Sequence, residues 1–407
     1  MAEKGGLLAV EDARARILAA LAPTAAETLS LPEASGRVLA RPVLARLTQP
    51  PADVSAMDGY AVRAADALEG ATLAVIGAAP AGHPFDGEVG PGQAVRIFTG
   101  GFIPAGADSI LLQEDAEAAD GAVLVKETVT RGRWVRRRGL DFAEGEALLA
   151  PGRRLTARDI GLAAASNNPW LAVHRRPRVG ILATGDEIAL PGDPIPAGGI
   201  VSSNAHALAA LIRAGGGEPI VLPIAPDDTS AIADIAASAH GYDLLVTTGG
   251  ASVGEHDLIQ KALGGEGFEL GFWKIAMRPG KPLIWGRLGR VPVLGLPGNP
   301  VSALVCGIVF LLPALARLSG LPGAPTPSRR VICAAPLAEN DRRADFLRAS
   351  LEADADGRIS VRPFPVQDSS MIATLARADA LVLRAPFAPA LPAGAEVEAI
   401  ILGELGI

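Results

Sequence analysis

The chain has 407 residues, of which 49% are hydrophobic, so it is long and apolar enough to form more than one domain. Its formal net charge of −7 disfavours a general DNA or RNA binder, which needs a basic face to displace counterions from phosphates. The two cysteines, Cys306 and Cys333, form no CxxC pattern, which excludes a disulfide framework and a zinc site of that kind.

The apolar segments do not predict insertion into a membrane. Residues 1–23 alternate charged and apolar positions at helical spacing, without the continuous apolar core of a signal peptide. The longest apolar run, Val301–Leu318, is interrupted by Pro313, which disfavours a membrane span. We therefore expect a cytoplasmic protein that binds neither membranes nor nucleic acid.

The first part of the chain predicts one helix followed by short strands. Apolar spacing predicts a helix over residues 7–22, and residues 28–47 alternate like short strands. From residue 73 to 110, short apolar runs separated by glycine and proline predict a compact β-rich module. A basic turn at 131–138 precedes a second predicted helix at 155–165.

A different pattern begins at Arg178, where predicted strands and helices alternate. Strands are expected at Val179–Ala183, Leu244–Val246 and Val291–Leu294, with helices between them. This alternation is typical of a mostly parallel sheet with helices on both faces. Residues 319–329 read as a linker, after which strand-like alternation predicts a separate small β domain.

Glycine-rich loops follow the three strands, with the sequences TGDE, TTGGASVGEHD and LPGNPVS. Ligands of open α/β sheets bind beyond the carboxyl ends of the strands, and glycines there let the backbone approach an anion closely. Each loop alone also fits an ordinary tight turn, but three in one sheet favour a crevice for a phosphorylated small molecule. The loop residues expected to face this ligand are Thr184, Gly185, Asp186, Gly249, Gly250, Ser252, Gly298 and Asn299.

Acidic residues recur in the same loops and indicate a divalent cation. A phosphate crevice lined by carboxylates repels its ligand unless a metal lies between them, and Mg²⁺ is the natural choice. The candidates include Glu187, Asp227 and Asp257, although Asp227 or Asp228 also fits a plain helix cap.

The segment WKIAMRPGKP adds three cations, Lys274, Arg278 and Lys281. On a strand, Lys274 and Arg278 would share a face, and the Pro-Gly pair would turn Lys281 back toward them. The alternative is a solvated basic face. An oxyanion site is favoured because these cations lie beside a predicted phosphate loop.

Taken together, these segments closely resemble the MoeA family of molybdenum-cofactor biosynthesis, which includes the gephyrin E domain. The matching segments are PPADVSAMDGYAV, RIFTGGFIP, GLDF, GILATGDE, SSN, TTGGASVGEHD, WKIAMRPGKP, GLPGNPVS, ADFLR and QDSSM. They span nearly the whole chain in the family's order, so the resemblance is not limited to the central domain shared with MogA- and CinA-type proteins.

The resemblance implies a molybdopterin molybdenumtransferase that acts as an elongated homodimer. Its substrates would be adenylylated molybdopterin and molybdate, and its products molybdenum cofactor and AMP, with Mg²⁺ required. It also implies possible transient contact with a MogA-like adenylyltransferase and with molybdoenzyme maturation proteins. The implied domains are a linking and dimerisation region at 1–48 and 140–177, the β-rich module at 49–139, the α/β domain at 178–327 and the β domain at 328–407.

Matching the family's motifs residue by residue gives the functional positions. The implied catalytic acids are Asp58, Asp141, Glu187, Asp227 and Asp257, of which the last three would bind the metal. Further implied substrate contacts are Thr99, Asn204, Lys274, Arg278, Lys281, Pro297, Pro300, Ser302, Arg348 and Ser369. Asp58, Thr99 and Asp141 are expected to complete the crevice of the partner subunit.

Two features leave alternatives open. Many relatives have lysine where Arg278 stands, which keeps the charge but replaces a point charge with a planar fork. Ser370 is nearly as good a match as Ser369.

Two alternative functions were also considered. A scaffold protein that only holds molybdopterin would tolerate loss of the acids, and they are retained here. A MogA-like adenylyltransferase is disfavoured by the additional N- and C-terminal regions.

Overall fold

The computed structural model describes residues 7–249, 262, 264, 267–353 and 357–407. Within these residues the strands form three six-stranded sheets and several two-stranded pairs. The first and last of the large sheets belong to predominantly β regions, and the one between them in sequence is flanked by helices. The predicted fold class, an α/β domain between a β-rich N-terminal module and a C-terminal β domain, is confirmed.

The N-terminal six-stranded sheet is buried on both faces. Its strands are Gly59–Val62, Thr72–Ala79, Gln93–Ile97, Ser109–Leu112, Ala116–Ala119 and Ala122–Val125. Tyr60 and Val62 pack into one hydrophobic cluster, whereas Ala61 packs into another. This alternation follows from the period of two residues in a strand. A short pair, Val54–Ser55 with Val135–Arg136, flanks the sheet.

Two segments distant in sequence form the linking region. Ala26–Ser30 pairs with Trp170–His174, and Val43–Leu44 pairs with Ala147–Leu149, in both cases antiparallel. The helix Ala157–Ala165 begins at Thr156, as expected. The chain therefore leaves this region, forms the β-rich sheet and returns.

The N-terminal residues differ from the prediction in two respects. The first helix, Val10–Ala19, packs with Leu8 and Leu21 into the core of the α/β domain and not with the linking region. A second helix, Leu31–Ala34, occupies part of the segment expected to be strands only. The Glu33 carboxylate accepts hydrogen bonds from the backbone and hydroxyl of Ser30, which favours a helix start there.

The central sheet has four parallel strands, followed on one side by two strands that each pair antiparallel with the strand before them. Their spatial order is Glu218–Val221, Arg178–Ala183, Leu244–Thr248, Val291–Leu296, Ile284–Leu288 and Phe268–Trp273. In register, Ile181 lies beside Val246, which lies beside Leu294. The carboxyl ends of the four parallel strands therefore meet at one edge. The helices packed around this sheet include Asn204–Ala214 and Thr229–Ala237, and Ser238–Gly241 forms a 3₁₀ turn.

A longer helical segment, Pro300–Leu318, follows the fourth parallel strand. It consists of Pro300–Cys306, a π-helical turn at Gly307–Leu311, and Leu312–Leu318. Helical structure continues past Pro313, because the wider turn before the proline accommodates its missing N–H. The segment is long and apolar enough to span a membrane, but 78% of it is buried inside the protein. It is a core helix of the α/β domain.

The C-terminal strands form a closed barrel-like sheet. They are Arg329–Cys333, Ala344–Ala353, Ile359–Pro363, Ala380–Arg384 and Glu396–Ile401, with a helix at Ile372–Ala376 and a 3₁₀ turn at Leu402–Leu405. The second and fourth of these strands pair and close the sheet. Met277–Arg278, from the α/β domain, adds a parallel strand beside Ala344–Asp345. This added strand joins the two domains.

Candidate active site

The structure brings the three glycine-rich loops together at the carboxyl edge of the central sheet. The Thr184 N–H donates to the carbonyl of Thr248 over 3.2 Å. The Asn204 amide donates to the Thr248 hydroxyl at 2.9 Å and to the Gly298 carbonyl at 2.6 Å. Gly249 has a φ of +99°, and a Cβ there would lie 2.4 Å from the Thr184 carbonyl oxygen. Only glycine permits this approach without backbone displacement.

A cavity of about 830 Å³ opens beside these loops. Its walls come from the loops, from residues 277–282 and from residues 367–369, so it lies between the α/β and C-terminal domains. The expected site residues that line it are Glu187, Asn204, Gly249, Arg278, Lys281, Pro297, Gly298, Asn299, Pro300, Ser302 and Ser369. Its volume suits a ligand the size of a nucleotide or pterin.

Several lining residues were not singled out from the sequence. Ser202 and Ser203 belong to the SSN segment, where only Asn204 was chosen. Arg343 precedes the ADFLR segment and Gln367 is the first residue of QDSSM, and only their position after folding places them on the wall. A charged or amide side chain within or beside a recognised motif was the available signal.

Other expected residues do not line the cavity or lie outside the described residues. Thr184 is 1% exposed, and the Asp186 carboxylate accepts the backbone N–H of Asp227 at 3.0 Å. Thr184, Gly185, Asp186, Asp227, Lys274 and Arg348 are not among the residues that line the cavity. Gly250, Ser252 and Asp257 lie outside the residues that the structure describes.

The expected magnesium ligands are only partly represented. Glu187 lines the cavity, and the Asp186–Asp227 contact places two further acids on adjacent loops. These oxygen donors are of the class that Mg²⁺ prefers. Within the described ranges, however, no group of three His, Cys, Asp or Glu residues is placed to hold a metal ion. Asp257, the third expected ligand, lies outside the described residues.

Lys274 and Arg278 do not share a strand, so that prediction is wrong. The edge strand ends at Trp273, and Lys274 adopts a φ of +68° with its ammonium 3.6 Å from the centre of the Trp273 ring. The chain then pairs with Leu8 and enters the C-terminal sheet at Met277. Tertiary pairing with the N-terminal segment has overridden the local alternation.

Arg278 is held by an acid of the C-terminal domain. Its Nε donates to Asp345 Oδ1 at 2.7 Å, and its Nη2 donates to Asp345 Oδ2. These bonds raise the pKa of Arg278. The planar guanidinium can donate two parallel hydrogen bonds to this carboxylate, which a lysine ammonium cannot do. Most of the positive charge of Arg278 is therefore matched inside the protein.

Lys281 is differently placed. Gly280, with a φ of +115°, turns the chain so that Lys281 is exposed on the cavity wall. Among the described residues its ammonium contacts no acid. Arg343 is a second cation on the wall, although it also bonds to Asp341 at 2.9 Å. Lys281 is therefore the wall cation best placed to receive an anion.

Arg348, an expected substrate contact, is not among the residues that line the cavity of this chain. It is 1% exposed, and its Nε donates to Gln367 Oε1 at 3.2 Å. Its Nη1 donates to the Met371 carbonyl at 3.3 Å. Arg348 thereby positions the loop that bears Ser369.

The choice between Ser369 and Ser370 can now be made on position. Ser369 lines the cavity, and its hydroxyl accepts a hydrogen bond from the Asn299 amide at 2.9 Å. Ser370 instead donates to Asp368 at 2.6 Å, caps its own turn and is not among the lining residues. Ser369 is the better candidate for ligand contact.

Asp58 and Thr99 form a second polar cluster in the β-rich module. Asp58 Oδ1 accepts the backbone N–H of Thr99 at 2.7 Å and its hydroxyl at 2.8 Å. These two bonds, the backbone one first, lower the pKa of Asp58. Asp141 is exposed, and its N–H donates to the carbonyl of Gln49. The side chains of Asp58, Thr99 and Asp141 do not line the cavity of their own chain.

Family models match three consecutive parts of the chain. The MoeA N-terminal region (domain I and II) matches residues 8–166. The probable molybdopterin binding domain matches residues 180–317. The MoeA C-terminal region (domain IV) matches residues 330–402. The cavity lies between the parts matched by the second and third models.

Whole proteins of the same kind are similar over most of their length. The molybdopterin molybdenumtransferase of Haemophilus influenzae is 35% identical over 93% of this chain and 94% of its own. Molybdopterin molybdenumtransferase 2 of Mycobacterium tuberculosis is 38% identical over 83% and 86%. A solved molybdopterin biosynthesis MoeA protein from Pyrococcus horikoshii superposes with a TM-score of 0.84 at 27% identity, covering 97% of this chain and 100% of its own. The chain therefore belongs to the MoeA family and is an enzyme of the molybdopterin molybdenumtransferase type.

Proposed function

We propose that this enzyme inserts molybdate into adenylylated molybdopterin and releases AMP in a Mg²⁺-dependent reaction, giving molybdenum cofactor. The observation that best supports the proposal is the cavity of about 830 Å³ at the carboxyl edge of the central sheet. Glycine loops, a helix start and unmatched positive charge converge there, as a phosphorylated ligand requires.

The loop backbone favours the phosphorylated part of the substrate. Gly249 and Gly298 approach each other so closely that a Cβ on Gly298 would lie 3.5 Å from the Gly249 Cα. The long helix begins at Pro300, immediately after this contact, and its Ser302 lines the cavity. Backbone N–H groups at a helix start favour an anion.

The wall facing the loops favours molybdate, a tetrahedral dianion. Lys281 supplies a charge that no acid among the described residues neutralises, and Ser369 and Asn299 supply polar hydrogen-bonding groups. Arg278 holds the wall through Asp345 while keeping part of its guanidinium open to the cavity. Cations and hydroxyls of this kind stabilise an oxyanion.

Glu187 supplies one carboxylate for Mg²⁺, and we propose that Asp227 and Asp257 supply the others. Bound Mg²⁺ would act as a Lewis acid on the phosphoanhydride, whose cleavage releases AMP. Asp186 holds the Asp227 backbone at 3.0 Å and thereby positions that loop beside Glu187.

The cavity is completed, in this proposal, by a second copy of the chain. Asp58 and Thr99 form a pre-organised polar cluster that does not line the cavity described in its own chain. In a homodimer of twofold symmetry, each β-rich module can serve the cavity of the other subunit. We also propose transient contact with a MogA-like adenylyltransferase that supplies the intermediate.

The test is direct. Purified protein is mixed with adenylylated molybdopterin, Mg²⁺ and molybdate, and the release of AMP is measured. The proposal predicts AMP release that requires all three additions and is lost in Lys281→Ala. A protein that only holds molybdopterin would bind the pterin without AMP release at any molybdate concentration, and that result would overturn the proposal.

A further inference from the structure

A second, smaller concavity lies where the linking region meets the α/β domain. This junction crevice encloses about 30 Å³. Arg37 and Arg154 line it from the linking region, His174 to Arg176 from the connecting chain, and Gly216 and Ser319 from the α/β domain. It is therefore built from both domains and from the segment between them.

The junction crevice has an excess of positive charge. Arg37 pairs with Glu27, and Arg175 forms two bonds of 2.8 Å with the Asp243 carboxylate. Both acids are therefore already paired, and none of the described residues that line the crevice is acidic. Two further guanidinium groups remain without an acidic partner.

These groups are Arg154 and Arg176. The Arg154 Nη1 donates only to the carbonyl of Gly36, at 3.1 Å, and desolvation lowers the pKa of Arg154. The Arg176 guanidinium has no hydrogen bond or ion pair within the described part of the chain. Both side chains are exposed and neither has an acidic partner among the described residues, so both guanidiniums remain available to an anion.

One neutral hydroxyl adds to this donor set. Ser319 is 7% exposed, and its hydroxyl makes no hydrogen bond to any described residue. His174 is not a further donor: its Nδ1 lies 2.7 Å from the carbonyl of Thr24, which can only accept, so the proton of the neutral ring is on Nδ1 and Nε2 is an acceptor. Guanidinium and hydroxyl groups are characteristic of phosphate recognition.

The backbone of the junction crevice is shaped by glycines. A Cβ on Gly216 would lie 3.3 Å from Arg154 Nη1, and one on Gly320 would lie 2.5 Å from His174 Nε2. Both glycines have φ values near +88°. Side chains at these positions would crowd the groups that are free to bind a ligand.

We propose that the junction crevice binds a phosphate-class oxyanion, held between Arg154 and Arg176. About 30 Å³ accommodates roughly two water-sized groups. Two oxygens of a tetrahedral oxyanion fit inside, and the remaining two face solvent, so both free phosphate and the end of a phosphoester are compatible. The bound anion would tie the linking region to the α/β domain.

The test measures binding of inorganic phosphate to the full chain by calorimetry. Arg154→Gln and Arg176→Gln should each weaken binding by about tenfold, the effect of losing one charge-assisted hydrogen bond. Arg158→Gln, an exposed arginine on the same linking region, is the matched control and should leave binding unchanged. Because the Arg176 guanidinium makes no hydrogen bond or ion pair with the described residues, its variant should fold normally.

A parallel arm with AMP distinguishes free phosphate from a phosphoester. AMP binding that depends on Arg154 and Arg176 supports the crevice and identifies the phosphoester as an accepted source. Phosphate binding that is lost in Lys281→Ala but kept in both crevice variants would overturn the inference and place the anion in the large cavity. AMP release should stay at wild-type level in the crevice variants, so failure here is separable from failure of the proposed function.

Discussion

Replacing Asp345 with asparagine should loosen the junction between the α/β and C-terminal domains. The Asp345 carboxylate is 5% exposed and forms the two-bond contact with Arg278 beside the added strand Met277–Arg278. The asparagine side chain would keep the size of the aspartate but lose its charge and one acceptor. Arg278 would then lack its principal partner, and the wall formed by residues 277–282 would be less firmly held.

The expected loss is about 2 kcal/mol in the free energy of unfolding. Breaking a fully buried ion pair costs about 3–5 kcal/mol, whereas an exposed pair contributes about 0–1 kcal/mol. The Arg278 side chain is 47% exposed, so water partly replaces the lost bonds and the value falls between these limits. Asp341→Asn is the matched control, because Asp341 is 44% exposed and contacts Arg278 at 3.4 Å. It should cost less than about 1 kcal/mol.

The assay is equilibrium urea unfolding of the two variants and of Arg278→Lys. Lysine keeps the charge but not the fork, so this variant should lose nearly as much as Asp345→Asn, and the double variant should be less than additive. The KM for the adenylylated substrate should rise more than kcat falls. Equal stability of Asp345→Asn and wild type, or a larger loss in Asp341→Asn, would refute this reasoning.

Three further predictions follow from the site. Gly249→Ala should reduce substrate binding at least tenfold in a direct titration, because its Cβ would lie 2.4 Å from the Thr184 carbonyl oxygen. Thr99→Val should raise the lowered pKa of Asp58 only part of the way, since the backbone N–H bond remains. The ionised Asp58 stabilises the folded state above the ordinary aspartate pKa, and on acidification the variant should lose this stabilisation at a higher pH than wild type. NMR titration of the Asp58 carboxyl group measures the pKa. Lys281→Ala should weaken molybdate binding by about tenfold while urea unfolding stays unchanged.

Much of the fold could be predicted because its signals are local. Alternation of strands and helices after Arg178 identified the parallel sheet, and glycines after three strands identified its ligand-binding edge. The Thr156 helix start was also local, since Asp159 accepts the Thr156 backbone and hydroxyl at 2.8 Å. Features set by neighbours in the chain were within reach of the sequence.

The remaining features depend on contacts between distant segments. Arg348 looked like an anion contact, but packing buries it against Gln367 and Met371, and only the tertiary fold reveals this. Lys274 was assigned to a strand, yet pairing of Leu8 with this segment redirects the chain. Arg343 was overlooked because nothing in its local pattern places it on the cavity wall.

Subunit complementation tests the central claim most directly, namely that Asp58 of one subunit serves the cavity of the other. Asp58→Asn and Glu187→Gln homodimers are each expected to release almost no AMP. After random exchange of equal amounts, about half of the dimers are mixed, and each mixed dimer has one of its two cavities with both acids intact. AMP release of the mixture should therefore recover to about one quarter of wild type. If Asp58 acts within its own chain, every cavity lacks one acid. Mixed dimers that remain as inactive as the parents would contradict the account.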